Sequence, residues 1–342
     1  SDKKTTYREH TDMENTLKLR QVLATLPPFC KDYFRAIDTT TTAKTRISYA
    51  YDIRIFFQFL LDENPAFKDH AMTDFTVDVL DQIKAVDLEE YQEYLKLYQS
   101  GDKTETNGER GLKRKISALR SFYAYYYKRE MIHTNPTVLI DVPKIHEKSI
   151  IRLDTDEVAM LLDYIEHCGD TLTGQKRVFY EKTKERDLAI VTLLLGTGIR
   201  VSECVGLDIE DVDFKNNGIK VTRKGGNEMV VYFGPEVEKA LKRYLEVREG
   251  ITPLAGHEHA LFYSAQRKRI GVQAVENMVK KYSRQITTTK KITPHKLRST
   301  YGTALYQETG DIYLVADVLG HKDVNTTKKH YAALDEARRR EA

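Results

Sequence analysis

At 342 residues the chain is long enough to bury two separate hydrophobic cores, and 41% apolar with 31% charged residues is a globular, water-compatible balance. No apolar run approaches the roughly 20 residues a membrane span needs, and the opening SDKKTTYREHTDMEN lacks the apolar core of a secretory signal. Cys30, Cys168 and Cys204 are scattered, odd in number and not in metal-ligand spacing, which argues against a disulfide framework or a metal cluster and gives the expectation of a cytoplasmic protein with reduced thiols, while the net charge of +3 by itself says little.

Residues 44–61 place Ile47, Tyr51, Ile55, Phe56, Phe59 and Leu60 at helical spacing. Residues 87–98 repeat this with Leu88, Tyr91, Leu95 and Tyr98, and residues 110–128 with Leu112, Ile116, Leu119, Tyr123 and Tyr126. Together they predict a small helical bundle over residues 1–140. His133-Thr134-Asn135-Pro136 and Asp141-Val142-Pro143-Lys144 are turn chemistry, which predicts a linker over 141–152 and a second domain over 153–342. Asp154, with Glu157 three residues on, has the form of a helix N-terminus, and Val158, Leu161, Leu162 and Ile165 follow on one face. Residues 188–195 read as a buried central helix. Residues 218–223 and 228–233 read as two strands joined by Lys224-Gly225-Gly226-Asn227. Residues 271–284, 295–308 and 311–319 are the clearest later helices. The expected class is mainly α: a helical bundle, then a mixed α/β domain with a small antiparallel sheet.

Charge is distributed unevenly. Residues 110–129 hold seven Lys or Arg and no acid, and residues 265–298 hold ten against one acid, Glu276. Two separated basic stretches suit a polyanion touched on two surfaces, although each could be only a solvated helix face. Arg110, Lys113, Arg114 and Arg120 in the first stretch, and Arg267, Lys268 and Arg269 in the second, are the candidate phosphate contacts.

Four segments carry residue types suited to chemistry. In Gly196-Thr197-Gly198-Ile199-Arg200-Val201-Ser202-Glu203, Arg200 directly follows a buried helix, where an unpaired charge is costly. Its anion is either Glu203 alone, or a phosphate toward which Glu203 orients it. Lys224, at the hairpin tip, reads by itself as a solvated lysine. His295 and Arg298, three apart, share one helix face. Gly320 ends a helix with a left-handed cap and leads into His321; Tyr331 then lies among lysines and histidines, either a nucleophile or a packing side chain.

Taken in order, Arg200, Lys224, His295-x-x-Arg298, His321 and Tyr331 resemble the active site of the tyrosine recombinase (phage integrase) family. GTGIRVSE, HKLRSTYGTAL and LGHKDVNTTKKHY match its signature boxes, and the N-terminal bundle resembles its SAM-like core-binding domain. Within the family the chain looks most like the Xer recombinases and related mobile-element integrases. Ser299 stands where many members have His. Tyr331 lies ten residues after His321, whereas nine is common in Xer members and here falls on His330, which has no phenol.

The resemblance implies a site-specific recombinase that works through a 3′-phosphotyrosine and a Holliday junction, with no metal, cofactor or ATP. Tyr331 would be the nucleophile, Arg200 and Arg298 the phosphate clamp, and His321 a further hydrogen-bond donor to the phosphate. His295 would move a proton, Lys224 would protonate the leaving 5′-oxygen, and Glu203 would support Arg200. The implied partner is double-stranded DNA with an inverted-repeat core site, clamped between the two domains. A monomer or dimer in isolation would assemble as a homotetramer on two sites, with the tail that holds Arg338-Arg339-Arg340 docking on a neighbour. An accessory directionality protein is left open, as is a bacterial or archaeal nucleoid setting. Integration or excision of a mobile element and chromosome dimer resolution are the implied roles, with DNA inversion as an alternative. Type IB topoisomerases share the catalytic residue types but not the recombinase pattern of bundle and boxes. A non-catalytic DNA-binding protein, the reading from another class, would have lost at least one of the six positions.

Overall fold

The computed structural model describes residues 5–146, 149–321, 323–328, 331 and 339–340. The chain packs as two compact units, Ser1–Glu147 and Lys148–Ala342.

Unit 1 is built from α1 (Tyr7–Leu23), α2 (Cys30–Ala36), α3 (Ala43–Glu63), α4 (Val79–Gln82), α5 (Ala85–Lys96) and α6 (Glu109–Lys128). The long helices start where local chemistry says they should. The Thr6 amide donates to Glu9 Oε2 at 2.8 Å ahead of α1, and Thr42 Oγ1 accepts from the Thr45 amide at 3.2 Å at α3. α3 packs against α1 and α6 and buries Ile47, Ala50, Ile53, Phe56, Phe57 and Leu60. Tyr51 and Ile55 are only half-buried, so the inward stripe is rotated toward Ala50 and Ile53 from the one the apolar spacing suggested. Phe122 on α6 sits at the centre of the core, its ring 5.0–6.2 Å from those of Phe29, Tyr33, Phe57 and Tyr126, mostly edge-on. The buried tyrosines keep their hydroxyls paired: Tyr123 donates to Leu80 O at 3.0 Å and Tyr126 to Phe29 O at 2.7 Å.

One element was not legible beforehand. After α5 the chain leaves the helical path at Leu97, and β1 (Leu97–Ser100) pairs with β2 (Lys103–Thr106) across a turn at Gly101, φ +62°. Tyr98 therefore lies on a strand and not on the helix its spacing predicts. These strands are short, polar and almost wholly exposed, so they carry no apolar alternation that a sequence could reveal.

Unit 2 runs α7 (Thr155–His167), α8 (Gly174–Thr197), α9 (Val201–Val205), β3 (Val212–Asp213), β4 (Gly218–Thr222), β5 (Glu228–Tyr232), α10 (Pro235–Glu249), α11 (Val272–Ser283), α12 (Pro294–Thr309) and α13 (Ile312–Leu319). α8 is the central helix, packed on α7, α10 and α12. Its apolar end is the expected buried stretch, but it begins some turns earlier, at Gly174, through a polar run without an apolar stripe. Within it, Asp187 is fully buried and accepts from Arg186 Nε at 3.0 Å, Arg186 Nη2 at 2.8 Å and the Tyr282 hydroxyl at 3.0 Å. A buried ion pair of this kind is tolerable because its hydrogen bonds are filled. The sheet is antiparallel in the order β3-β4-β5, with Ile219 opposite Val231 and Thr222 opposite Glu228. The fold is thus mainly α with small antiparallel sheets, as expected. Among the described residues no helix is long and apolar enough to cross a membrane.

Truncating Phe122 to alanine removes the common neighbour of four rings. Phe122→Ala is expected to destabilise unit 1 by about 3–5 kcal/mol in urea titration of the full chain, and a loss under about 1 kcal/mol would contradict this account of the core.

Candidate active site

α8 ends at Gly198, left-handed at φ +66°, and the chain turns straight into α9 with Arg200 at its N-cap. Glu203, one turn on, is buried and accepts from the Arg200 backbone amide at 2.8 Å and from Arg200 Nη1 at 3.4 Å. The carboxylate therefore holds the helix start and the guanidinium together. Arg200's side chain stays 40% exposed.

The second arginine comes from α12. Thr293 caps this helix and Pro294 occupies its first turn, which sets His295 at the exposed edge and Arg298 one turn deeper, only 4% exposed. Arg298 Nη1 donates to Gly198 O and Nη2 to Leu319 O, tying the end of α8 to the end of α13. Burial lowers its pKa to about 10, and the nearby Arg200 and Arg223 charges add to that, with Glu203 and Tyr331 opposing. It remains a cation at neutral pH.

α13 closes with a double capping bond. The His321 amide donates to Ala316 O at 2.9 Å and Gly320, at φ +72°, to Asp317 O at 3.0 Å. This cap aims His321, whose Nδ1 pairs with the buried Thr327 hydroxyl. The remaining carbonyls of the helix end are taken by arginines. Leu319 O accepts from Arg298 and from Arg223 Nη1 (2.5 Å), and Val318 O accepts from Arg223 Nη2 (2.9 Å). Arg223 Nε also lies 3.9 Å from Glu203 Oε2. Sequence reading missed Arg223, because beside Lys224 on a hairpin it looks like one more solvated cation.

Tyr331 lies 3% exposed among Tyr306, Val315 and Leu319, its ring centroid 5.7 Å from that of Tyr306. Its hydroxyl approaches α12 so closely that a Cβ at Gly302 would land on it. Burial raises the phenol to about 12, while Arg298 and the Thr303 hydroxyl pull the other way. His295, Arg298, Ser299, Leu319, His321 and Tyr331 line one cleft of about 30 Å³, room for a water but not for a phosphodiester. Among the described residues no cluster of His, Cys, Asp or Glu could hold a metal ion.

Lys224 is exposed on the tight turn after β4, with Gly225 and Gly226 both at positive φ, and is not one of the cleft's lining residues. Of the basic residues read as phosphate contacts, Arg110, Lys113, Arg267 and Lys268 are exposed. Arg114 reaches the buried Asp52 at 3.2 Å with most of its side chain still outside. Arg120 is spent on Thr137 O (3.3 Å) and Ile140 O (2.7 Å), and Arg269 on Val205 O (3.0 Å), Leu207 O (2.8 Å) and Asp208. These two hold the fold together, and a sequence cannot show which anion claims a given arginine. Lys322, Lys329, His330 and most of the tail, including Arg338, lie outside the described residues.

Residues 151–338 match the phage integrase family model. The chain belongs to the phage integrase family. It is a tyrosine recombinase, an enzyme of site-specific DNA strand cleavage and rejoining. Curated relatives include tyrosine recombinase XerC of Caldanaerobacter subterraneus subsp. tengcongensis, 33% identical over 92% of this chain and 86% of the relative. Tyrosine recombinase XerS of Lactococcus lactis subsp. cremoris is 31% identical over 95% of this chain and 96% of its own. Among solved structures, the Tn1549 transposon integrase in complex with transposon right end DNA superposes with a TM-score of 0.65 at 22% identity, covering 92% of this recombinase and 99% of that chain. XerH bound to its difH substrate gives 0.61 at 21% identity, over 87% and 80%.

Gly320 answers two demands at once: a positive φ, and room for Arg223, on which a Cβ there would land. Gly256, at φ +89° with open space around it, answers only the first. Gly256→Ala is expected to cost about 1–2 kcal/mol in chemical denaturation and Gly320→Ala clearly more. Equal costs would show that Arg223 is not seated against the cap.

Proposed function

We propose that the cleft between α12 and α13 is where this recombinase cleaves and reseals DNA, with Tyr331 as nucleophile. One observation carries the reading: His295 and Arg298 of α12, His321 after α13, and Tyr331 line the same cleft. A protein that only bound DNA would have no need to bury a phenol against a buried arginine.

In the proposed step Tyr331 Oη bonds to phosphorus and the bond from phosphorus to the 5′-oxygen breaks, leaving a 3′-phosphotyrosine and a 5′-hydroxyl. Charge grows on the non-bridging oxygens, and Arg200 and Arg298 absorb it with His321 as a further donor. Burial and the neighbouring charges of Arg200 and Arg223 lower the proton affinity of Arg298, so the site holds surplus positive charge that a phosphate relieves. The phenol, raised to about 12, holds its proton at neutral pH, and His295 accepts it. Lys224 donates a proton to the departing 5′-oxygen. The linkage conserves the energy of the broken bond, so a 5′-hydroxyl from a partner strand reverses the step without ATP. The cleft must widen to admit the phosphate.

Two such exchanges, made by a homotetramer on two inverted-repeat core sites, pass through a Holliday junction. Arg110, Lys113 and Arg114 on α6 and Arg267 and Lys268 in unit 2 are the proposed backbone contacts, each lowering affinity roughly evenly across sequences when removed. Similarity to XerC and XerS supports chromosome dimer resolution, and the fold shared with the Tn1549 integrase supports integration and excision of a mobile element.

Covalent capture on genomic DNA of the source organism, followed by sequencing of the attached fragments, is expected to return one short inverted-repeat site. Tyr331→Phe should bind that site and form no adduct; an adduct with this variant would remove the nucleophile assignment. Arg200→Ala should slow adduct formation by about 100- to 1000-fold while affinity falls far less. Cleavage should persist in EDTA, and its loss there would overturn the metal-independent mechanism. The rate should also climb with pH through the neutral range, because the phenol must lose its proton; a flat profile would contradict that.

A further inference from the structure

Arg223 has no part in the chemistry above, yet it is 8% exposed at a position where the fold asks for an apolar side chain. Along β4 and its exit, Ile219, Val221 and Arg223 are buried while Lys220, Thr222 and Lys224 are exposed, the alternation of a strand with one covered face. A guanidinium on the covered face is costly, and a leucine or methionine would fill the place at lower cost. What the guanidinium does there is specific. Its fork closes on two consecutive carbonyls, Leu319 O and Val318 O, at the end of α13, where unpaired carbonyls and the helix dipole concentrate negative charge. Its Nε points toward Glu203, the carboxylate that holds Arg200. Its own backbone forms the base of the turn carrying Lys224: the Arg223 amide donates to Asn227 O at 2.7 Å and Arg223 O accepts from Gly226 at 2.9 Å.

We propose that Arg223 is a positioning residue that fastens the turn of Lys224 to the C-terminal end of α13, so that the acid for the leaving oxygen and the His321 cap share one frame. The inference rests on the assignment of Lys224 as that acid. It makes the hairpin part of the catalytic geometry, although Lys224 itself is exposed.

The test uses the full-length protein and the site recovered by covalent capture, synthesised with either oxygen or sulfur at the bridging 5′-position of the scissile phosphate. A thiolate leaves without being protonated, so a variant that lacks only the acid is rescued by sulfur. Single-turnover adduct formation is measured for wild type, Lys224→Ala, Arg223→Gln and Arg223→Lys, with DNA affinity and thermal unfolding alongside. Arg223→Gln is expected to slow cleavage of oxygen DNA by about 100-fold, the scale of general acid catalysis. On sulfur DNA it should return close to the wild-type rate, as should Lys224→Ala. Arg223→Lys, which keeps the charge but not the fork, should fall between the two on oxygen DNA and be rescued in the same way; it carries the comparison if the glutamine variant does not fold. Rescue of Lys224→Ala without rescue of the Arg223 variants would overturn this inference and leave the acid assignment standing. No rescue of Lys224→Ala would overturn the acid assignment and the inference together.

Discussion

The carbonyl of Leu319 is the point on which the architecture of unit 2 depends. It ends α13, and two buried guanidinium groups converge on it, Arg298 from α12 and Arg223 from the exit of β4. Through Arg298 the same junction reaches Gly198 at the end of α8, and through Arg223 it approaches Glu203 at the start of α9. Five elements, α8, α9, the exit of β4, α12 and α13, are thereby held at one place. The cost is visible in the proton affinities: Arg298 and Arg223 are both lowered by burial and by neighbouring cations. Such a cluster is a poor way to gain stability and a direct way to prepare a site for an anion.

Unit 1 is organised on a different principle. Its core is a set of mostly edge-on aromatic rings around Phe122, and the hydroxyls of Tyr123 and Tyr126 donate to backbone carbonyls of distant segments. Arg110 and Lys113 stand exposed on the surface of α6, while Lys115 of the same helix is buried.

Much of this was readable from the residues alone. The apolar period of α6 and the hairpin turn at Gly225-Gly226 are local patterns, and local patterns survive in a sequence; the set Arg200, Lys224, His295, Arg298, His321 and Tyr331, spread along the chain, was legible only through its resemblance to the tyrosine recombinase family. What stayed hidden was allocation. Arg120 and Arg269 look like their basic neighbours but are consumed by backbone carbonyls, while Arg223 looks like part of a solvated turn but is buried. The β1–β2 hairpin escaped because exposed polar strands need no apolar alternation. The first half of α8 escaped because its buried members, Tyr180, Thr183, Arg186 and Asp187, are mostly polar groups satisfied by tertiary partners.

The central claim is that one phenol, at Tyr331, takes the DNA. The most direct measurement is to trap the protein on its own site, digest the complex with nuclease and protease, and locate the nucleotide-bearing peptide by mass spectrometry. A 3′-linked nucleotide on Tyr331, and on none of the other tyrosines, is the expected result. A nucleotide on a different side chain, or a 5′-linkage, would contradict the account.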